Sequence, residues 1–247
     1  MKPQSVPYQH FGGPFATSEI IKSIRNGEII ISPWPGDIEH PEEWVEGASI
    51  DLSLGPELRI PLDKDQLAEL TEDKAKIPTG MTAIPCMGDA IPDYMFLTRP
   101  AIIPEGNVYI LRPREKVIAI TKEKITFKNN ICALIGARSC AARLWLVAEF
   151  APVIKPGVNN RVVLEIKNDG DNPITLRPGS RFCQLTFFRA IGEEEHYEGK
   201  YKNQSLILHG ETPKFVGVAY KPIKELPGFV FVSDKVLERL NRRFPII

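Results

Sequence analysis

Apolar positions recur along the chain with two spacings, which divide it into a short helical start and a long β-rich body. Ile20, Ile21 and Ile24 share one helical face between Thr17 or Ser18, whose hydroxyls suit an N-cap, and Gly27, a C-terminal stop. That pattern predicts a helix of about ten residues. Residues 29–31 follow as a short strand that ends before Pro33 and Pro35. In the segment 48–55, Ala-Ser-Ile-Asp-Leu-Ser-Leu-Gly, period two sets Ile50, Leu52 and Leu54 opposite Asp51 and Ser53, and Gly55 closes the strand in a turn. Further β segments are predicted at 108–111, 117–121, 132–135, 162–166, 174–176 and 183–188, separated by Pro, Gly, Asn and Asp clusters. Strands this short and regularly spaced predict a sandwich or barrel rather than alternating βα units. The charged stretch 62–80 holds at most a short helix, and a last helix is predicted from Ser233 through Val236, Leu237 and Leu240.

Composition narrows the partners. With 43% hydrophobic residues the 247-residue chain can bury a core, and 22 prolines with 18 glycines fit frequent turns. Lys plus Arg and Asp plus Glu are 31 each, so the broad positive field of a non-specific nucleic-acid or membrane-surface binder is missing. Any anionic ligand must be held by a local cluster. No stretch approaches the ~18 apolar residues that cross a bilayer, and the first residues lack a signal-peptide core, so a cytoplasmic protein is expected. Cys86, Cys132, Cys140 and Cys183 lie far apart without a C-x-x-C pair, which predicts free thiols. His10, His40, His196 and His209 are scattered, and the H-x-E with P-C-x-x-C signature of zinc deaminases is absent, so no zinc site is expected.

Two segments hold groups that do chemistry. Directly after the strand at 132–135, Gly136-Ala-Arg-Ser-Cys-Ala-Ala-Arg143 reads as a turn at Gly136 opening into a short helix. Free amides around Ser139 with the forked donors of Arg138 and Arg143 suit a phosphate, although two such arginines serve equally as solvated or salt-bridged surface groups. In Lys155-Pro-Gly-Val-Asn-Asn-Arg-Val-Val-Leu-Glu-Ile166, Glu165 falls on the opposite strand face from Leu164 and Ile166. A carboxylate there is a general acid/base if both sheet faces are covered, and a plain surface residue if one is open.

Together these segments resemble the dCTP deaminase family, within the wider trimeric dUTPase superfamily. Arg138-Ser-Cys-Ala-Ala-Arg143 is similar to that family's R-S-S-L-A-R, and Pro156-Gly157 followed by Val163-Leu-Glu165 is similar to its D-P-G-W-x-G-x-x-V-L-E. Ser49-Ile-Asp-Leu-Ser-Leu-Gly55, Leu176-Arg-Pro-Gly179, and Tyr197 with Lys200-Tyr-Lys-Asn-Gln204 match in the same order. The resemblance implies a mainly β subunit, a distorted barrel or jelly roll with a few short helices. It covers a β domain at 17–205; an arm at 1–16 and an extension at 206–247 packed on the same domain are expected outside it and are not explained by the match. It implies a homotrimer with nucleotide sites between subunits, and zinc-independent deamination of dCTP or a related pyrimidine nucleotide to dUTP and ammonia. Mg²⁺ is expected only through the triphosphate. The catalytic set it implies is Glu165 as proton carrier with Ser139 and Arg143. Arg138, Ser139, Cys140, Ala142 and Arg143 would bind phosphates and position the base and water; Lys155, Val163 and Leu164 would face the sugar and pyrimidine. Tyr197, Lys200 and Gln204 would close over the triphosphate.

Two departures qualify the match. The family's aspartate before Pro-Gly is Lys155, and the W-x-G after it is Val158-Asn-Asn160. A cation at that position argues against a dUTPase or a bifunctional deaminase/dUTPase, both of which need a base there, and it leaves deoxyribose recognition open. It also feeds a third reading, a trimeric nucleotide-binding protein without turnover. Cys140 replaces the second serine, which weakens one hydrogen bond. Trp145, where the family has a small residue, is expected in the core.

Overall fold

The computed structural model describes residues 13–63, 94–149, 151–192, 205–207 and 211–219. Cys86, most of the charged stretch 62–80 and the helix expected from Ser233 lie outside the described residues. Helix α1 (Thr17–Arg25) forms where the isoleucine spacing puts it, with Ile20 buried, and Gly27 at φ 69° ends it. Its N-cap is Ala16, without a side-chain bond, rather than Thr17 or Ser18. The Thr17 hydroxyl instead donates to the Gly47 carbonyl, so a tertiary contact displaced the local cap.

All eight predicted β segments are present, and the chain adds others. The strands are β1 (Ile29–Ser32), β2 (Val45–Glu46), β3 (Ser49–Pro61), β4 (Thr98–Ile102), β5 (Asn107–Leu111), β6 (Lys116–Phe127) and β7 (Ile131–Ala137). After a one-turn helix, α2 (Ser139–Ala142), come β8 (Leu146–Glu149), β9 (Val153–Ile154), β10 (Asn159–Asn168), β11 (Ile174–Leu176), β12 (Arg181–Arg189), β13 (Lys214–Phe215) and β14 (Val218–Ala219). A large sheet runs β8-β10-β6-β3-β12-β7-β9, with β1, β2 and β4 added along β6 and β3 and with β13 beyond β4; β11-β5-β14 form a second.

The long strands curl the large sheet. The first half of β3 pairs with β2 and β12, while its second half pairs with β4 and β6. Leu52, Leu54, Leu58, Ala119, Leu164, Leu185 and Phe187 line the inside of this curl and are buried, with Phe127 set edge-on against Phe187 at 5.6 Å. The result is a curled, mainly antiparallel β body with few short helices.

Gly55 does not end β3. The strand passes through it, and the register against β6 slips between Leu54 and Leu58. The Ser53 N–H is taken up by the buried Glu123 carboxylate at 2.8 Å. A side chain at Gly55 would approach the Ile120 carbonyl to 2.7 Å and strike the Arg161 guanidinium. Close approach of backbones, and not a turn, is why glycine stands there. Gly55→Ala is therefore expected to cost about 1–3 kcal/mol by overpacking, read as a lower denaturant midpoint; an unchanged midpoint means that β3 and β6 separate freely at this point.

Candidate functional site

Strand β10 positions the key carboxylate. Leu164 and Ile166 enter the core, which turns Glu165 to the other face, opposite Ile118 on β6 and Glu149 on β8. There it borders a cleft of about 660 Å³ whose lining includes Tyr94, Lys155, Asn160, Arg161, Val163 and Glu165. The Pro156-Gly157 turn, with Gly157 at φ 73°, leads the chain from β9 into β10 and so brings Lys155 back to the same cleft. Within one chain both Lys155 and Glu165 are exposed, so the groove is open on one side. Strand β8 pairs with β10 only over Glu165 to Asn168.

Arg161 fixes the wall of this cleft. The β10 register slips between Arg161 and Val163, and the Val162 N–H donates to Thr121 Oγ1 at 2.9 Å. The Arg161 side chain crosses β6, donating to the Thr121 carbonyl at 2.6 Å, and grips Glu57 on β3 with two bonds of 2.6 Å. Burial pushes the Glu57 carboxyl up, but the hydrogen bonds and charge of Arg161 outweigh it and hold the group below its ordinary value.

The arginine-rich segment stands apart. Gly136 lies inside β7, paired with Gln184, so the strand continues to Ala137 and turns only at Arg138, the N-cap of α2. Arg138 Nε sits 3.1 Å from Asp51 Oδ2, and Arg181 approaches the same oxygen at 3.6 Å while lying 4.1 Å over the Trp44 ring. Burial raises the Asp51 pKa, with both arginines opposing the shift. Ser139, Cys140, Ala142 and Arg143 are exposed. None of the five expected phosphate contacts lines the Glu165 cleft of its own chain. Trp145 is not in the core: it is 71% exposed at φ 61°, and Leu146 takes the interior position.

Of the expected site residues, Lys155, Val163 and Glu165 thus share one cleft, with the Leu164 side chain turned away into the core. Tyr197, Lys200 and Gln204 lie outside the described residues. Tyr94, Asn160 and Arg161 in the cleft, and Asp51 behind Arg138, were missed. Asp51 had a readable signal, an acid in a β segment otherwise made of apolar and small residues. Arg161 had none, because the bulge that aims it breaks the alternation. Among the described residues no three His, Cys, Asp or Glu side chains gather to hold a metal, and no helix is long and apolar enough to cross a membrane.

Residues 15–190 match the family model described as dCTP deaminase-like. The chain belongs to that family. It is 30% identical over 193 residues to the dCTP deaminase of Photorhabdus laumondii, covering 75% of this chain and 91% of that one. It is likewise 30% identical over 204 residues to the dCTP deaminase of Haloarcula marismortui, covering 78% and 94%. Among solved structures, the 2'-deoxycytidine 5'-triphosphate deaminase of Agrobacterium tumefaciens overlaps with a TM-score of 0.48 at 18% identity, covering 72% of this chain and 48% of that one.

The cleft wall gives a pH-dependent prediction. Because folding lowers the Glu57 pKa, its contribution is present above the ordinary value of 4.5 and is lost as pH falls through the lower folded value. Glu57→Gln is expected to cost about 1–3 kcal/mol at neutral pH. The gap to wild type should narrow in denaturation curves taken well below 4.5; a gap independent of pH would show that packing, not charge, is what Glu57 supplies.

Proposed function

We propose that this chain hydrolyses the C4 amine of dCTP, releasing dUTP and ammonia, with Glu165 as the proton carrier. The observation that supports it is that Glu165 and Lys155 line one cleft in a chain whose relatives are named dCTP deaminases. Water adds to C4 as Glu165 takes its proton. The carboxyl delivers that proton to N3, then takes the hydroxyl proton of the adduct and gives it to the amine, so that the C4–N bond breaks, ammonia leaves and a carbonyl remains at C4. The backbone of β10 around Val163 and Leu164, which β8 does not reach, faces the pyrimidine edge.

The phosphates need a cradle that the Glu165 cleft lacks within one chain. Arg138, Ser139, Cys140, Ala142 and Arg143 of a neighbouring copy supply it in a homotrimer, and Asp51 steadies Arg138 from behind. Exposed Leu134, Leu144, Trp145 and Val153 give such a contact apolar surface to bury. Tyr197, Lys200 and Gln204 close over the triphosphate, whose Mg²⁺ arrives as part of the substrate. A second reading, nucleotide binding without turnover, draws on Lys155, since an ammonium near a carboxylate lowers the proton affinity an acid/base group needs.

Incubation with dCTP and Mg²⁺ is expected to yield dUTP and ammonia without dUMP or pyrophosphate; bound but unconverted dCTP would favour the second reading. Glu165→Gln should abolish ammonia release while dCTP affinity stays within several-fold of wild type, and retained turnover ends the proposed mechanism. Light scattering should give three times 27.7 kDa. Mixed oligomers of Glu165→Gln and Arg143→Ala, each inactive or weak alone, should regain part of the activity, because some sites then combine an intact Glu165 with an intact Arg143. No recovery after subunit exchange would place both groups in one subunit's site. Lys155→Asp tests the departure: a rise in activity or in preference for dCTP over CTP means that residue 155 faces the sugar.

A further inference from the structure

A separate cleft of about 370 Å³ opens between the β3–β4 pair and the small sheet, and none of its lining residues borders the Glu165 cleft. We propose that this second cleft is a binding site for a small phosphorylated ligand, with the phosphate held between Arg99 and Arg112. Arg99 lines the cleft, and its buried Nε has no hydrogen-bond partner among the described residues, whereas buried donors in folded proteins are almost always satisfied. The Arg112 side chain lies at the exposed end of the same cleft. Glu115 is the one acid in the described lining, and its oxygens are taken: the Tyr109 hydroxyl donates to one and the Arg112 backbone N–H to the other at 2.7 Å. Two guanidinium groups against one engaged carboxylate leave the cleft positive. A phosphate offers several acceptor oxygens to two forked donors at once.

The walls are set before any ligand arrives. Arg114, in the turn that carries Arg112 and Glu115, is held at φ 65° with its N–H on the Asn168 carbonyl at 2.8 Å. On the opposite wall Gly217 at φ 110° presses so near β5 that a side chain would come within 2.6 Å of the Val108 carbonyl. The volume falls at the small end of the ~300–1,000 Å³ typical of small-molecule sites, larger than a lone phosphate requires. Ile110 and Val218, 41% and 50% exposed at the rim, would cover the apolar part of the ligand.

Calorimetric titration of the full chain with inorganic phosphate and with glycerol phosphate tests this, using citrate as a carboxylate control. A saturable phosphate site is expected that survives Arg143→Ala and Glu165→Gln but weakens roughly tenfold or more in Arg112→Gln and in Arg99→Lys, which keeps the charge and removes Nε. Arg112 is exposed, so its variant decides the matter even if Arg99→Lys does not fold, as circular dichroism would show. Absence of saturable phosphate binding, binding unchanged by Arg112→Gln, loss in Arg143→Ala instead, or citrate bound as tightly as phosphate would each overturn the assignment. Because no turnover is measured, failure here leaves the dCTP reading untouched.

Discussion

One guanidinium reaching across three strands governs the geometry of the cleft. Arg161 leaves β10, passes over β6 at the Thr121 carbonyl and ends in a two-pronged grip on Glu57 of β3. Its path requires that the backbone beneath have no side chain, and Gly55 meets that need. The same crossing goes with both register slips, one in β3 and one in β10, that let Asn160, Arg161, Val162 and Val163 all border one space. A strand of strict alternation would have hidden half of them. The catalytic proposal therefore rests on a defect in the ladder held in place by a charge pair that is itself three-quarters shielded from water.

Charge is arranged differently at the two ends of the proposed site. Around Glu165 the acid faces an open groove with a lysine for company. Around Arg138 the acid is the supporting group: Asp51 sits behind two arginines, and Trp44 covers the second of them. Desolvation works against ionised Asp51 and the arginines work for it, a balance that keeps Arg138 oriented without using up all of its donors. The open groove and the Asp51-held arginine lie on different parts of the subunit. That arrangement suits a site shared between copies.

Much of this was legible in the residues. Period-two alternation located the first half of β3 and the end of β10, and short β-forming runs between turn clusters located β5, β6, β7, β11 and β12. It also put Glu165 on the correct face of β10. What escaped was everything that depends on distant partners. The continuation of β3 through Gly55 was read as a turn because glycine punctuates chains more often than it admits a crossing side chain. Gly136 misled in the same way. Thr17 resembled a cap until Gly47, thirty residues on, claimed its hydroxyl. Trp145, expected in the core where the family has a small residue, is sent outward by the left-handed turn after α2, and Leu146 goes inward. The short strands β2, β9, β13 and β14, two residues each, have too few positions to show a period.

Arg59 shows how far such distant dependence goes. It is completely buried, and its bonds run to Thr98 on β4, to the Leu206 carbonyl at 2.8 Å and to both oxygens of Glu211 at 2.8 and 3.1 Å. A cation in the interior without its counter-ion is strongly unfavourable. Closing β3 and β4 over Arg59 is therefore favourable only once the chain around Leu206 and Glu211 has come back to meet it, so a stretch 147 to 152 residues downstream completes the interior of an early strand pair.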